Sequence, residues 1–225
     1  MCGRFVRISS IPVITKRFNV RKLILPEIPP SYNIAPNQEA IIINNTEERQ
    51  LMLCRWGFLP SWAKDVSMGM INARAETVAE KPFFRYALKK HRCLIPADGF
   101  YEWGKKSGNK YPVYIKLKFG EPFGFAGFYN FWESPDGSMI PTYTIITTGS
   151  NELIMPIHQR MPVIIKKEEE DQWLDPALEN KGILLPLLKP YPSEVMECYP
   201  VSPKMNSPLY DTPENIQPAK EMNMN

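Results

Sequence analysis

Twenty-three prolines are scattered along this chain of 225 residues, and no other feature restricts its fold as much. A proline fixes φ and has no N–H to donate, so it is kept out of helix interiors and of the middle of sheets. The chain must therefore be assembled from short elements separated by many ordered turns. The same mixed pattern runs from end to end without a linker, which predicts one domain over residues 1–225. Hydrophobic residues make up 44% of the chain, enough to give that domain a full core.

Ser9 and Ser10 precede Pro12, Val13, Ile14 and Phe18; the cap, the first-turn proline and the apolar spacing predict a short helix. Residues 40–43 and 51–54, parted by a polar stretch, read as the two strands of a hairpin. A second helix is expected after Pro82, where Phe83, Phe84, Ala87 and Leu88 share a face ahead of the basic end at 89–92. Further strands are expected at 93–95, 113–117, 123–127, 143–148 and 163–165, and a short acidic-start helix at 168–174. Beyond Pro200 the sequence is polar and proline-punctuated, and this tail (about 200–225) is expected to wrap the surface or fray. These elements predict an α+β fold: a β-rich single domain with a curled, barrel-like antiparallel sheet and short peripheral helices.

Composition removes several function classes. A net charge of +3 is too weak to argue nucleic-acid binding by itself. No apolar run reaches the ~18 residues of a membrane span, and no apolar segment follows the basic N-terminal residues, so neither membrane insertion nor secretion is expected. Cys2, Cys54, Cys93 and Cys198 are scattered without CxxC or Cys/His spacing, which predicts neither a disulfide framework nor a metal site. A reducing cytoplasm follows, with Cys54, Cys93 and Cys198 as small core residues.

Cys2 itself reads differently. Once Met1 is removed, the chain begins with a residue carrying both a free α-amine and a thiol. These titrate near about 8 and about 8.5, so a minority of each is deprotonated at neutral pH. Such an aminothiol condenses with an aldehyde to an imine and closes through sulfur to a thiazolidine. Gly3 permits close approach of a substrate, and Arg4 offers a permanently charged fork for phosphate or carboxylate. An anionic aldehyde fits this neighbourhood.

Further polar residues stand where apolar strands break into turns, the usual place for site residues. They are Asn72 and Arg74 in INARAET, Glu102 in ADGFYEW, and His158 and Arg160 in IHQRMP. Each has an ordinary alternative: His158 as a hydrogen-bonded loop histidine, Glu102 as a buried carboxylate paired with arginine, Arg74 and Glu76 as an ion pair. Trp56 reads as core, whereas Trp62, after Pro60-Ser61, reads as an exposed ring able to stack on an unpaired base.

Together these segments resemble one family. MCGRF, YNIAP at 32–36, RWGFLPSWAKD at 55–65, INARAET at 71–77, CLIPADGFYEW at 93–103, TIITTGSN at 144–151, IHQRMPVII at 157–165 and a weaker VSPKMNSP at 201–208 are similar, in order and spacing, to the SOS-response-associated peptidases, the abasic site processing proteins. The resemblance implies binding of single-stranded DNA and covalent capture of abasic sites, whose opened sugar is an aldehyde, without a cofactor. It implies Cys2 as nucleophile, Asn72 near the sugar, Glu102 as acid/base and His158 as an active-site histidine. It further implies Arg4, Arg74 and Arg160 on phosphates, Pro36 and Trp62 near bases, possible strand cleavage beside the site, and self-removal of Met1. Gln159 stands where an aspartate is common, and the aromatic positions after FAGF also depart from the family pattern, which leaves the role of His158 open. The rival readings are an N-terminal-cysteine amidohydrolase and a non-catalytic single-strand binder; a monomer is expected.

Overall fold

The β-branched run Ile41, Ile42 and Ile43 cannot relax in a helix, and it pairs antiparallel with Leu53, Met52 and Leu51 across the hairpin the sequence predicts. A computed structural model describes residues 2–22 and 27–219 and shows what grows from this hairpin. In chain order the strands are β1 (Phe5–Arg7), β2 (Ser31–Ile34), β3 (Glu39–Asn44), β4 (Leu51–Trp56), β5 (Asn72–Arg74), β6 (Arg92–Ala97) and β7 (Gly99–Lys106). They continue with β8 (Asn109–Leu117), β9 (Phe123–Glu133), β10 (Met139–Gly149), β11 (Arg160–Pro162), β12 (Ile164–Ile165) and β13 (Met196–Pro200). The helices are α1 (Ile11–Arg17), α2 (Pro82–Lys90), α3 (Glu170–Leu174) and α4 (Lys181–Leu184).

Neighbours β4, β3, β6, β9 and β10 follow one another by antiparallel pairing, and β10 then returns to β4 through Thr142–Arg55 and Tyr143–Trp56. The five strands thus close a ring, the barrel-like sheet the sequence implies. The last pairing is parallel, as is that of β5 along β10. An odd number of strands cannot alternate direction all the way round, so one parallel junction is a geometric necessity that local sequence does not announce. A second, antiparallel sheet of order β13-β8-β7-β1-β2 covers one face of the ring.

Both faces of the ring are apolar. Ile41, Ile43, Leu94, Phe128 and Ile146 form one cluster with Ile14 of α1, Phe84 and Leu88 of α2, and Trp173 of α3. Alternate residues Ile42, Cys54, Trp56, Cys93, Phe125 and Tyr143 pack with Phe5, Phe100 and Ile115 of the second sheet, and Cys2 belongs to this second cluster. At Gly127, where β9 lies against both β6 and β10, a Cβ would sit 2.4 Å from Ile95 Cδ1 and 2.5 Å from the Thr144 carbonyl oxygen, so only glycine fits. Pro96 does lie inside a strand: it pairs with Gly124 on one side, where the β3 pairing has already ended at Leu94. An edge position of this kind needs no N–H.

The segment after Pro200 wraps. Asn33 Nδ2 lies 2.9 Å from the carbonyl oxygens of Met205, Ser207 and Tyr210, and Asp211 accepts from the Ser31 hydroxyl at 2.8 Å and the Tyr32 N–H at 2.5 Å. Met205 and Asn215 are fully buried. Residues 220–225 of the expected tail lie outside the described residues.

Candidate active site

Pairing of β1 with β7 sets the site. Phe5 faces Phe100, and the Tyr101 N–H donates to the Arg4 carbonyl at 3.0 Å, so the N-terminal residues run back along β7 toward Glu102. The Cys2 side chain is fully buried, with Sγ 3.8 Å from the Arg4 carbonyl oxygen. Burial pushes its thiol far above the ordinary range and the negative charge of Glu102 adds to this, so the sulfur carries its proton at neutral pH. Glu102, also buried, is itself held above the usual carboxylate range by desolvation, against which nearby positive charge including His158 acts. Cys2, Glu102 and His158 therefore share one electrostatic neighbourhood.

His158 sits in the turn between β10 and β11, where its Nδ1 accepts the Arg160 N–H at 3.0 Å. The Arg160 carbonyl oxygen lies 3.2 Å from the same Nδ1; in the neutral tautomer in which Nδ1 accepts the shorter N–H contact, the proton is on Nε2. Asn72 opens β5 beside Ile145 of β10. Its Nδ2 donates to the Ile71 carbonyl at 2.9 Å, an oxygen that Trp56 Nε1 also reaches at 2.8 Å. Its Oδ1 is shielded and has no partner among the described residues, which leaves an acceptor available. The Tyr143 hydroxyl, stacked with Trp56 and shielded in the same way, is close enough for Cys2 to influence its titration.

The arginines differ in how committed they are. Arg160 grips Glu76 through both terminal nitrogens at 2.6 and 3.0 Å and donates to the Thr147 carbonyl at 2.7 Å, which holds the Glu76 carboxyl below its usual range. Arg74 is exposed and has no ion pair among the described residues. Arg4 reaches the Asn206 carbonyl at 3.4 and 3.5 Å. Pro36 is half-buried in the turn between β2 and β3, and the Trp62 ring is 61% exposed.

Two residues of this neighbourhood were not singled out from sequence. Trp103 Nε1 donates to Asn206 Oδ1 at 2.8 Å, so a single asparagine ties the indole next to Glu102 to the guanidinium next to Cys2. The segment containing Asn206, VSPKMNSP, is visible as a motif, but nothing in it indicates a partner 202 residues away. Among the described residues no cluster of histidine, cysteine and carboxylate side chains is arranged to hold a metal ion.

A family model described as SOS response associated peptidase (SRAP) matches residues 1–208. Abasic site processing protein YoqW of Bacillus subtilis (strain 168) is 48% identical over 223 residues, covering 96% of this chain and 99% of that protein. Abasic site processing protein HMCES of Gallus gallus is 32% identical over 226 residues, covering 85% of this chain and 67% of that protein. A crystal structure of a Bacteroides thetaiotaomicron protein superimposes with a TM-score of 0.86 at 31% identity, covering 97% of this chain and all of that one.

Proposed function

The chain belongs to the SOS response associated peptidase family, and we propose that it processes abasic sites in DNA by capturing them covalently through Cys2. The observation that carries this reading is the approach of Cys2 to Glu102, two groups 100 positions apart that the β1–β7 pairing brings together. A buried thiol that keeps its proton is a poor opening nucleophile, so the amine acts first.

Removal of Met1 frees that amine. It adds to C1′ of the opened sugar to give a carbinolamine, and protonated Glu102 donates to the departing hydroxyl, so that water leaves and an imine forms. The elevated pKa of Glu102 favours this acid role. The sulfur then adds to the imine carbon, its proton passes to nitrogen, and the ring closes; aldehyde plus aminothiol have become thiazolidine plus water. His158 donates from Nε2 to the sugar oxygen during ring opening, and Asn72 Oδ1 accepts from the amine. Holding the partners together supplies most of the acceleration, since they react slowly when free. The substrate strand is single, its phosphates met by Arg4 and Arg74 and its bases by Trp62 and Pro36. β-Elimination from the imine, which breaks the C3′–O bond and expels the 3′ phosphate, would give strand cleavage as a side reaction, and hydrolysis of the imine would then release the Cys2 amine.

The family description supports a second reading, peptide-bond hydrolysis with Cys2 as nucleophile, which includes self-removal of Met1. Protein carrying only a C-terminal tag, incubated with abasic single-stranded DNA and then denatured, separates the two. Capture requires a DNA-shifted band for the wild type and none for Cys2→Ala or for a chain with a permanent N-terminal extension. Peptide cleavage without any shifted band leaves the hydrolase, and DNA affinity alone leaves a binder.

A further inference from the structure

On the outer side of α2 lies a groove of about 430 Å³, walled by Trp62, Pro82, Phe83 and Tyr86 and completed by His91 and Asn130. Trp62 and Tyr86 are each 61% exposed, so two large aromatic rings border one concavity without covering each other. The His91 ring is fixed between Tyr129, stacked at 4.9 Å, and Tyr86, edge-on at 5.2 Å. Burial holds its pKa below the ordinary histidine value, so it is neutral at pH 7, and its shielded Nδ1 has no hydrogen-bond partner among the described residues. Asn130 donates from Nδ2 to the Leu59 carbonyl at 2.8 Å, which fixes the carboxamide at the groove.

The rims are cationic. Lys64 follows Trp62 by two residues, while Arg85 and Lys89 stand three residues after Pro82 and Tyr86, on the adjoining strip of the helix. Lys81 continues the same strip at a spacing of four. All four are exposed and none has an ion-pair partner among the described residues, whereas neighbouring Lys90 is bound to Glu179. Asp65, the acid beside Lys64, is already engaged by the Ser67 amide at 2.8 Å and its hydroxyl at 2.5 Å.

We infer that this groove is a second nucleobase site, built on Tyr86 next to the base that Trp62 meets, which takes a further unpaired base of the same single strand while Lys64, Arg85 and Lys89 hold the adjoining phosphates. Flat aromatic faces bordered by unpaired cations are the chemistry of sequence-tolerant binding to single-stranded nucleic acid. An apolar peptide would use the rings but leave the cations without function. The inference rests on the reading of single-stranded DNA as substrate and extends it: strands long enough to span both sites bind tighter than the abasic nucleotide alone requires.

Two oligonucleotides test it, an abasic strand with two flanking nucleotides on each side and one with ten. Tyr86→Ala and the pair Arg85→Ala/Lys89→Ala should weaken equilibrium binding of the long strand about tenfold, whereas Tyr86→Phe should retain it. The capture rate on saturating short strand should not change, because none of these residues touches Cys2. Equal long-strand affinity for wild type and variants, with capture intact, would overturn the groove and leave the proposed function standing. Loss of capture in every protein, with the Tyr86 effect on affinity preserved, would do the reverse. A wild type that binds neither strand overturns both.

Discussion

Glu102 is a carboxyl whose pKa burial raises, beside a thiol kept protonated by the same cause. If it donates the proton that expels water, Glu102→Gln should slow linkage to abasic DNA by about 10²-fold. The sign of the pH effect follows from the shift: a raised pKa extends the protonated form upward, so the wild-type rate falls as pH rises through that value. Glu102→Gln should lack this descending limb, and single-turnover rates of shifted-band formation between pH 5 and 9 give the comparison; an unchanged limb would remove Glu102 from the step. Asn206 acts on neighbours, through Trp103 Nε1 and the Arg4 guanidinium. Asn206→Ala keeps the backbone carbonyl that Arg4 reaches and removes only the Oδ1 that accepts from Trp103, so it should weaken binding of single-stranded DNA about fivefold, the worth of one neutral hydrogen bond of about 1 kcal/mol, and leave the rate at saturation unchanged. Candidate site residues could be picked out where a residue type is informative by itself, as with Cys2 or the scarce His158. The tie made by Asn206 was not, because it depends on two chain ends meeting in space. That Arg160 is already held by Glu76 was equally hidden, since the sequence suggested only Arg74 as a partner for that acid.

Elements were readable in proportion to their apolar content. The hairpin of β3 and β4, the helix after Pro82 and the cores of β6, β8, β9 and β10 lie where alternation and apolar runs predict them. β1, β2, β5, β7 and β13 went unseen, being three to five residues long or, like β7, carrying Gly, Glu and Lys; pairing with a neighbour makes them strands, not propensity. Arg92 shows how the helices are fastened to the ring. Sequence places it in the basic end of the second helix, yet it is fully buried and opens β6. Nη1 donates to the carbonyls of Leu88 and Lys89 at the end of α2, at 2.8 and 2.6 Å. Nε and Nη2 reach the carbonyls of Trp173 and Asp175 at the end of α3, at 2.7 and 2.5 Å. One cation thus satisfies the last carbonyls of two helices, where partial negative charge accumulates. Desolvation lowers its pKa to about 10, still far above neutrality, so it remains charged. Arg92→Met fills much of the volume but abandons four carbonyl acceptors, those of Leu88 and Trp173 in buried contacts, and should cost about 3 kcal/mol, read as a lower urea midpoint with an unchanged slope.

The molecule is closed at both ends by each other. The β1 segment that carries Cys2 is flanked by β2, and β2 is where the chain past residue 200 docks, so that Arg4 meets Asn206 across 202 positions. Asn33 is the fastening: 1% exposed, with its Nδ2 beside three carbonyls of the 205–210 turn. Because five ring strands fix the position of β10 and the second sheet fixes that of β7, the strap is the remaining part that can loosen without disturbing Cys2 and Glu102. Asn33→Ala should therefore separate two properties. Stability should fall by about 2 kcal/mol, since the buried Met205 carbonyl and the half-buried Ser207 carbonyl lose the Asn33 donor, while that of Tyr210 keeps Asn215 Nδ2. Affinity for single-stranded DNA should fall with it, through displaced Asn206, while capture at saturating DNA keeps its rate. If Asn33 acts on binding only by placing the Asn206 side chain, the double variant Asn33→Ala/Asn206→Ala should bind no more weakly than Asn206→Ala alone. Additive losses of affinity, measured by fluorescence anisotropy on folded protein, would show that the strap reaches the DNA by a second route.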